Sequence, residues 1–363
     1  MDTEVLRIIE GGLANDKRKI VTYANQLADR LDMEGSNPLS KCIRQILSSV
    51  PQSQAVADAM RIIPVDSDSR LQIVEVYPSS DLRQEIVLEP IVEKQVTEFI
   101  NVVNHRSELE IAGVNIQKTL LLYGKPGCGK TSIAHYICEK TGLPLIVARL
   151  DGIVSSLLGS TAKNIRKIFE YAQSIPCILF LDEFDAIAKA RDDQHELGEL
   201  KRVINSLLQN IDSMPQNCVL IAATNHPELL DKAVWRRFVQ AVEVGAPSKD
   251  SISEMIDVFS KPFKCEFASD VQKRNSFIDA VSMLSPAEIK TIFDRVKVKC
   301  VIDGETVLTT DRLLTGAYDA TYADKSESAY VCFLNDHGLS QTAIYQNTGI
   351  SLRKVKSYIS ANK

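Results

Sequence analysis

No apolar run in this chain approaches the roughly 18 residues needed to cross a bilayer as a helix. The opening residues, Met1 to Gly12, lack the charged-then-apolar pattern of a signal peptide. The eight cysteines (42, 128, 138, 177, 218, 265, 300 and 332) include no C-x-x-C pair, and none has a metal-ligand spacing with the five histidines. They read as reduced thiols, several inside apolar runs, which excludes a disulfide scaffold and suggests a reducing compartment. These absences lead to the expectation of a cytoplasmic protein without membrane attachment. An excess of basic charge is also missing. The 42 Lys and Arg stand against 47 Asp and Glu, a net charge of -5. That argues against a surface coated for nucleic acid, though a local basic patch stays open.

What is present is ordinary for a globular protein: 45% hydrophobic and 25% charged residues over 363 positions, enough for two or three domains. One stretch organises the rest. Gly124-Lys125-Pro126-Gly127-Cys128-Gly129-Lys130-Thr131 satisfies G-x-x-x-x-G-K-[ST], between an apolar run and a helical pattern carrying Ile133, Ala134 and Ile137 on one face. Glycines let consecutive backbone N–H groups curl around a polyphosphate, where a Cβ would block the approach. The helix beginning there, through Ser132, aims its unpaired N–H groups and positive dipole end at the same anion. Lys130 adds charge for the β- and γ-phosphates, and the Thr131 hydroxyl suits Mg²⁺. ATP and Mg²⁺ are therefore the expected ligands. Cys128 lies beside Lys130 at a helix N-terminus, and both should favour its thiolate.

Three further segments supply chemistry. Cys177 to Leu181 is a buried-strand run ending in Asp182-Glu183, where Asp182 can hold Mg²⁺ through water and Glu183 can accept a proton from attacking water. Asn225 ends the next apolar strand and can orient that water from the other side. In Leu229 to Phe238, Arg236 and Arg237 sit between Trp235 and Phe238. Guanidinium suits the charge on a transferring phosphoryl group, and a neighbouring subunit can supply it.

Taken together, the loop, the acidic strand tip, Asn225 and the LLDKAVWRRF segment resemble the AAA ATPases in order and approximate spacing, over about 115–300. The RRF form looks closest to small single-ring members such as spastin, katanin and stand-alone bacterial ones. The resemblance implies an ATPase that is usually hexameric, with Asn225 as first sensor and Arg236 and Arg237 as trans arginine fingers. It also implies that Ser285 to Ile289 opens the lid helix over the adenine, placing Ala287 at the nucleotide. Two departures stand out. Leu157 replaces an aromatic expected in the pore segment Gly152–Gly159, and Lys125 and Cys128 stand where Pro and Thr are commoner.

Strands and helices alternate from Thr119 to Val244, which means an α/β fold of the P-loop NTPase kind, a parallel sheet flanked by helices. Five segments follow: an N-terminal helical docking or assembly module (1–50), a lead-in (51–115), the nucleotide-binding domain (116–247), a helical lid (248–322) and a C-terminal tail (323–363). A capping box at Ser285 to Glu288 starts a lid helix. The loop Lys189–Glu199 is expected to face the pore from below. In the tail, Gly349 between two short helices gives a helix-turn-helix pattern whose last helix carries Arg353, Lys354 and Lys356. The leading expectation is a ring-forming ATPase that remodels or unfolds a protein substrate. Its rivals are a nucleic-acid-associated ATPase reading DNA through the tail, and an ATPase regulating or feeding a partner protease.

Overall fold

The computed structural model describes residues 63–66, 70–79, 85–114, 116–150, 158–186, 197–215, 218–267, 270–322 and 326–361, with scattered positions before 63. The pore segment around Leu157 and most of the Lys189–Glu199 loop lie outside the described residues. The chain divides into two units, Met1–Ile63 and Pro64–Lys363. In the first, the described positions between Ile20 and Leu31 are helical, and Ala24 and Ala28, one turn apart, are buried. The helices expected at its start and after Pro38 fall largely outside the described residues.

The second unit begins with β1 (Glu75–Tyr77), α1 (Pro90–Asn104) and a short α2 (Arg106–Ile111), then alternates. β2 (Thr119–Tyr123), α3 (Lys130–Thr141), β3 (Leu145–Arg149), α4 (Leu158–Gln173) and β4 (Ile178–Asp182) follow. α5 (Leu197–Asp212), β5 (Val219–Thr224), α6 (Lys232–Trp235) and β6 (Gln240–Glu243) complete the sheet region. The strand order is β1-β3-β4-β5-β2-β6. All neighbours run parallel except β1, which is antiparallel to β3 at one edge.

β2, β4 and β5 are nearly unbroken apolar runs because both faces of the sheet are covered. Alternate residues Leu120, Leu122, Phe180 and Ile221 pack with Val96 and Phe99 of α1 and Ile133 and Ile137 of α3. Their neighbours Leu121, Leu179 and Leu220, also buried, point to the opposite face by the period of two. α4 and α5 pack against each other and bury Ile165, Ile168, Phe169, Val203, Leu207 and Ile211. The parallel register brings the carboxyl ends of β4, β5 and β2 side by side, which is where open α/β sheets bind ligands.

Beyond the sheet come α7 (Lys249–Ser260), β7 (Lys264–Cys265), α8 (Val271–Val281), α9 (Pro286–Asp303), β8 (Val307–Leu308) and α10 (Thr310–Thr321). The tail forms α11 (Glu327–Asp336), α12 (Gln341–Thr348) and α13 (Leu352–Ala361). Its Val331, Leu334, Ile344, Val355 and Ile359 share one core with Phe277, Ile289, Phe293 and Leu314 of the preceding helices. Helices this short hold little core alone, and sharing one removes their apolar faces from water.

Candidate nucleotide site

The phosphate loop joins β2 to α3 and is held open by backbone conformation. Gly124, Gly127 and Gly129 all have left-handed φ, at 142°, 78° and 100°. At Gly124 a Cβ would lie 2.2 Å from the Val244 carbonyl oxygen, so the loop passes β6 only because the side chain is missing. At Gly127 a Cβ would lie 2.7 Å from the Ser285 hydroxyl oxygen. The loop is therefore pressed against the start of α9.

That contact follows from how α9 begins. The Ser285 hydroxyl accepts from the Glu288 N–H at 3.3 Å, and the Glu288 carboxylate accepts from the Ser285 N–H at 2.7 Å. This is the capping box expected from sequence. It leaves the Ala287 N–H without an intrahelical acceptor, like all N–H groups in a first turn. The Gly127 carbonyl accepts it at 3.2 Å. Ala287 thus stands beside the loop, and α9 touches it through main chain.

Lys130 is buried, and its ammonium donates to the Gly124 and Lys125 carbonyls at 2.7 and 2.9 Å. Burial pulls its pKa below the ordinary lysine value, while Cys128, Asp182 and Asp185 pull the other way. The Thr131 hydroxyl donates to Asp182 at 3.2 Å. These two hard oxygens, at the loop and at the tip of β4, are the donor types Mg²⁺ takes. Ser132 lines the same cavity one residue further along α3.

Glu183 has φ 53°, left-handed for a residue that has a Cβ. Such a conformation costs about 1–2 kcal/mol. It is held because the Glu183 N–H donates to its neighbour Asp182 at 2.9 Å and the Phe184 N–H donates to the Ala223 carbonyl at 2.8 Å. Phe184 is buried edge-on against Phe238. The sharp turn leaves the Glu183 side chain exposed at the cavity wall. Asn225 reaches the same wall. Its N–H and the Thr224 hydroxyl both donate to buried Asp185 at 3.2 Å, which fixes the end of β5 against the turn after β4. Sequence reading overlooked Asp185, although it stands in the same acidic segment, because nothing local shows which strand end it grips.

These groups surround a cavity of about 370 Å³. Phosphate-loop residues from Pro126 to Ser132, with Asp182, Glu183 and Asn225, form its polar side. Glu85 to Leu88, Met255, Phe259, Pro286 and Ala287 form the other, with Lys290 at the edge. Nothing in the sequence pattern marks Glu85 to Leu88 as part of this wall. Met255 and Phe259 carried a weak signal, four residues apart on one face of α7. The segment is held to the two ends of α7 by the Ser248 N–H donating to Glu89 at 2.6 Å and by Lys261 donating to Glu85 at 2.8 Å.

Arg236 and Arg237 do not line this cavity. The Arg237 carbonyl accepts from Thr119, the first residue of β2, at 2.8 Å. The phosphate loop leaves the other end of that strand, about 15 Å away at about 3.3 Å per residue. Arg237 also pairs with Asp212, whereas the Arg236 side chain is exposed and has no partner among the described residues.

Residues 120–246 match the model of the ATPase family associated with various cellular activities, AAA. An AAA family ATPase of Sinorhizobium fredii is 34% identical over 270 residues, which is 74% of this chain and 80% of that one. The chain belongs to the AAA ATPases. A putative 26S proteasome regulatory subunit homologue of Methanocaldococcus jannaschii is 34% identical over 44% of this chain and 45% of its own. A peroxisomal ATPase of Saccharomyces cerevisiae is 30% identical over 62% of this chain and 22% of its own. The cavity described above lies within or beside the matched region of this AAA ATPase.

Cys128 corrects one expectation. In this AAA ATPase its thiol is buried, and burial raises its pKa above the ordinary thiol value despite Lys130 and Lys125. A thiolate inside the loop would give up more solvation than two lysines return.

Among the described residues no cluster of His, Cys, Asp and Glu could hold a structural metal. Among the same residues no helix is long and apolar enough to cross a membrane.

Proposed function

We propose that the chain hydrolyses Mg·ATP as a homo-oligomeric ring, a hexamer, and uses the cycle to remodel a protein substrate. One observation carries the ring. The polar wall holds a cation, a Mg²⁺ ligand pair, a general-base carboxylate and an orienting amide, yet both arginines lie outside it. A neighbour's arginine completes such a site. Lys130 exchanges its two loop carbonyls for the β- and γ-phosphates. Thr131 and Asp182 hold Mg²⁺, which supplies charge neutralisation on the phosphate oxygens when bound. The Glu183 carboxylate takes the proton of the lytic water, and Asn225 orients that water. The apolar wall at Ile86, Val87, Leu88, Pro286 and Ala287 receives the base.

Arg236, exposed and without a partner among the described residues, acts on the neighbour's nucleotide. Arg237 fixes the segment that presents it. The helices after residue 248 work as a lid, coupled to the phosphates through the Gly127–Ala287 bond. A polypeptide substrate is favoured by the relative named as a proteasome regulatory subunit homologue. Leu157 offers apolar grip without a flat face for stacking bases, which points the same way. The test is substrate trapping. Glu183→Gln, loaded with ATP in a lysate of its native cell, should retain specific polypeptides that the Lys130→Ala variant does not. Equal recovery on both variants would end the remodelling assignment.

A further inference from the structure

The C-terminal helices take no part in the nucleotide site. α12 is capped by Ser340, whose hydroxyl accepts from the Ala343 N–H at 3.2 Å. It stops at Gly349, which adopts φ 71° and donates its N–H to the Tyr345 carbonyl at 2.9 Å. A left-handed glycine turns the chain sharply without Cβ strain, and α13 starts at Leu352. Ile344, Val355 and Ile359 are buried and fix α13 against α11 and α12. Val355 and Ile359, one turn apart, form its inner stripe. Arg353, Lys356, Ser357 and Ser360 therefore share the outer stripe, and all are exposed.

Positive charge is concentrated in this stretch of the sequence. Residues 340–363 contain Arg353, Lys354, Lys356 and Lys363 and no Asp or Glu, in a chain of net charge -5. Lys354 lies 3.5 Å from Glu327 of α11. Arg353 and Lys356 have no partner among the described residues. On α12, Thr342, Tyr345 and Gln346 are exposed, adding hydroxyl and amide donors.

We propose that α12 and α13 are a helix-turn-helix that binds double-stranded DNA, with α13 in the major groove. A helix about 10–12 Å across fits a groove about 12 Å wide. Arg353, near the start of α13, and Lys356, one turn on, present donors to base edges and phosphates. Thr342, Tyr345 and Gln346 provide the neutral contacts by which a preceding helix grips the backbone. A single strand is a poorer fit, because the outer stripe of α13 carries no aromatic platform. This goes beyond the ATPase reading. It tethers the motor to DNA through a surface remote from the phosphates.

The test uses the full chain and a fluorescent random-sequence duplex of about three helical turns, followed by anisotropy. The duplex should bind at about 50 mM salt and weaken steeply as salt rises. The double variant Arg353→Glu, Lys356→Glu should bind at least about tenfold more weakly. Its plot of log affinity against log salt should be shallower by about two, one for each lost phosphate contact. Its ATP hydrolysis should match that of the parent. Any of three results would overturn the proposal: no duplex binding at low salt, equal binding by the double variant, or preference for a single strand of the same length.

Discussion

Arg237 closes both arms of its guanidinium on Asp212, each hydrogen bond 2.9 Å long, and donates a third to the Ala233 carbonyl at 2.6 Å. Three of its five N–H donors are used within its own chain, while the adjacent Arg236 projects into solvent. Two neighbouring arginines thus have different surroundings. Arg236→Ala should keep ATP binding and lose about a thousandfold or more in hydrolysis, the scale of a lost arginine finger. Mixing it with Lys130→Ala subunits should restore part of the activity, since a mixed ring can contain intact interfaces. Mixing that restores nothing would remove the trans role.

Asp212→Ala tests the other arginine. The pair is partly exposed, so its loss should lower stability by no more than about 1 kcal/mol. Hydrolysis should still fall, because the segment carrying Arg236 loses its anchor, and activity should depend more steeply on protein concentration. Unchanged activity at all concentrations would show that Arg237 positions nothing.

The left-handed Glu183 separates function from stability. Glu183→Gln should bind ATP and hydrolyse it at least about a hundredfold more slowly. Glu183→Gly should be equally inactive yet melt no lower than the parent, because glycine accepts φ 53° without Cβ strain. A clear drop in Tm for the glycine variant would mean that the side chain, not the backbone, holds that turn.

Gly127→Ala should weaken ATP binding by driving the start of α9 from the loop, since its Cβ would meet the Ser285 hydroxyl at 2.7 Å. Adding Ser285→Ala removes the closest obstacle, leaving the residue 285 Cβ at 3.1 Å, but also the helix cap, worth about 1 kcal/mol. Binding should recover in part while stability falls. Isothermal titration and thermal melts of the single and double variants decide it, and strictly additive losses in binding would exclude the clash.

Because burial raises the Cys128 pKa, its alkylation should be slow at neutral pH and accelerate only above the ordinary thiol range. Bound ATP should protect it, and Cys128→Thr should be active and resistant. A modification rate already on its plateau at neutral pH would contradict the burial argument.

The sequence by itself determined the phosphate loop, the acidic end of β4, Asn225 and the capping box of α9. Each is a local device: successive backbone N–H groups, adjacent carboxylates or a cap three residues long, whose chemistry needs only near neighbours in the chain. The alternation of β2 to β6 with helices was legible for a similar reason. A strand buried on both faces must read as an apolar run, as Leu120 to Leu122 and Leu179 to Leu181 do. Only the tertiary structure decided that Glu85 to Leu88 wall the cavity opposite the loop, because their position depends on the packing of segments far apart in sequence. It also decided that Asp212 takes Arg237, that Asp185 grips the end of β5, and that burial raises the Cys128 pKa. Desolvation belongs to the surroundings of a group, and those surroundings exist only once the chain has folded.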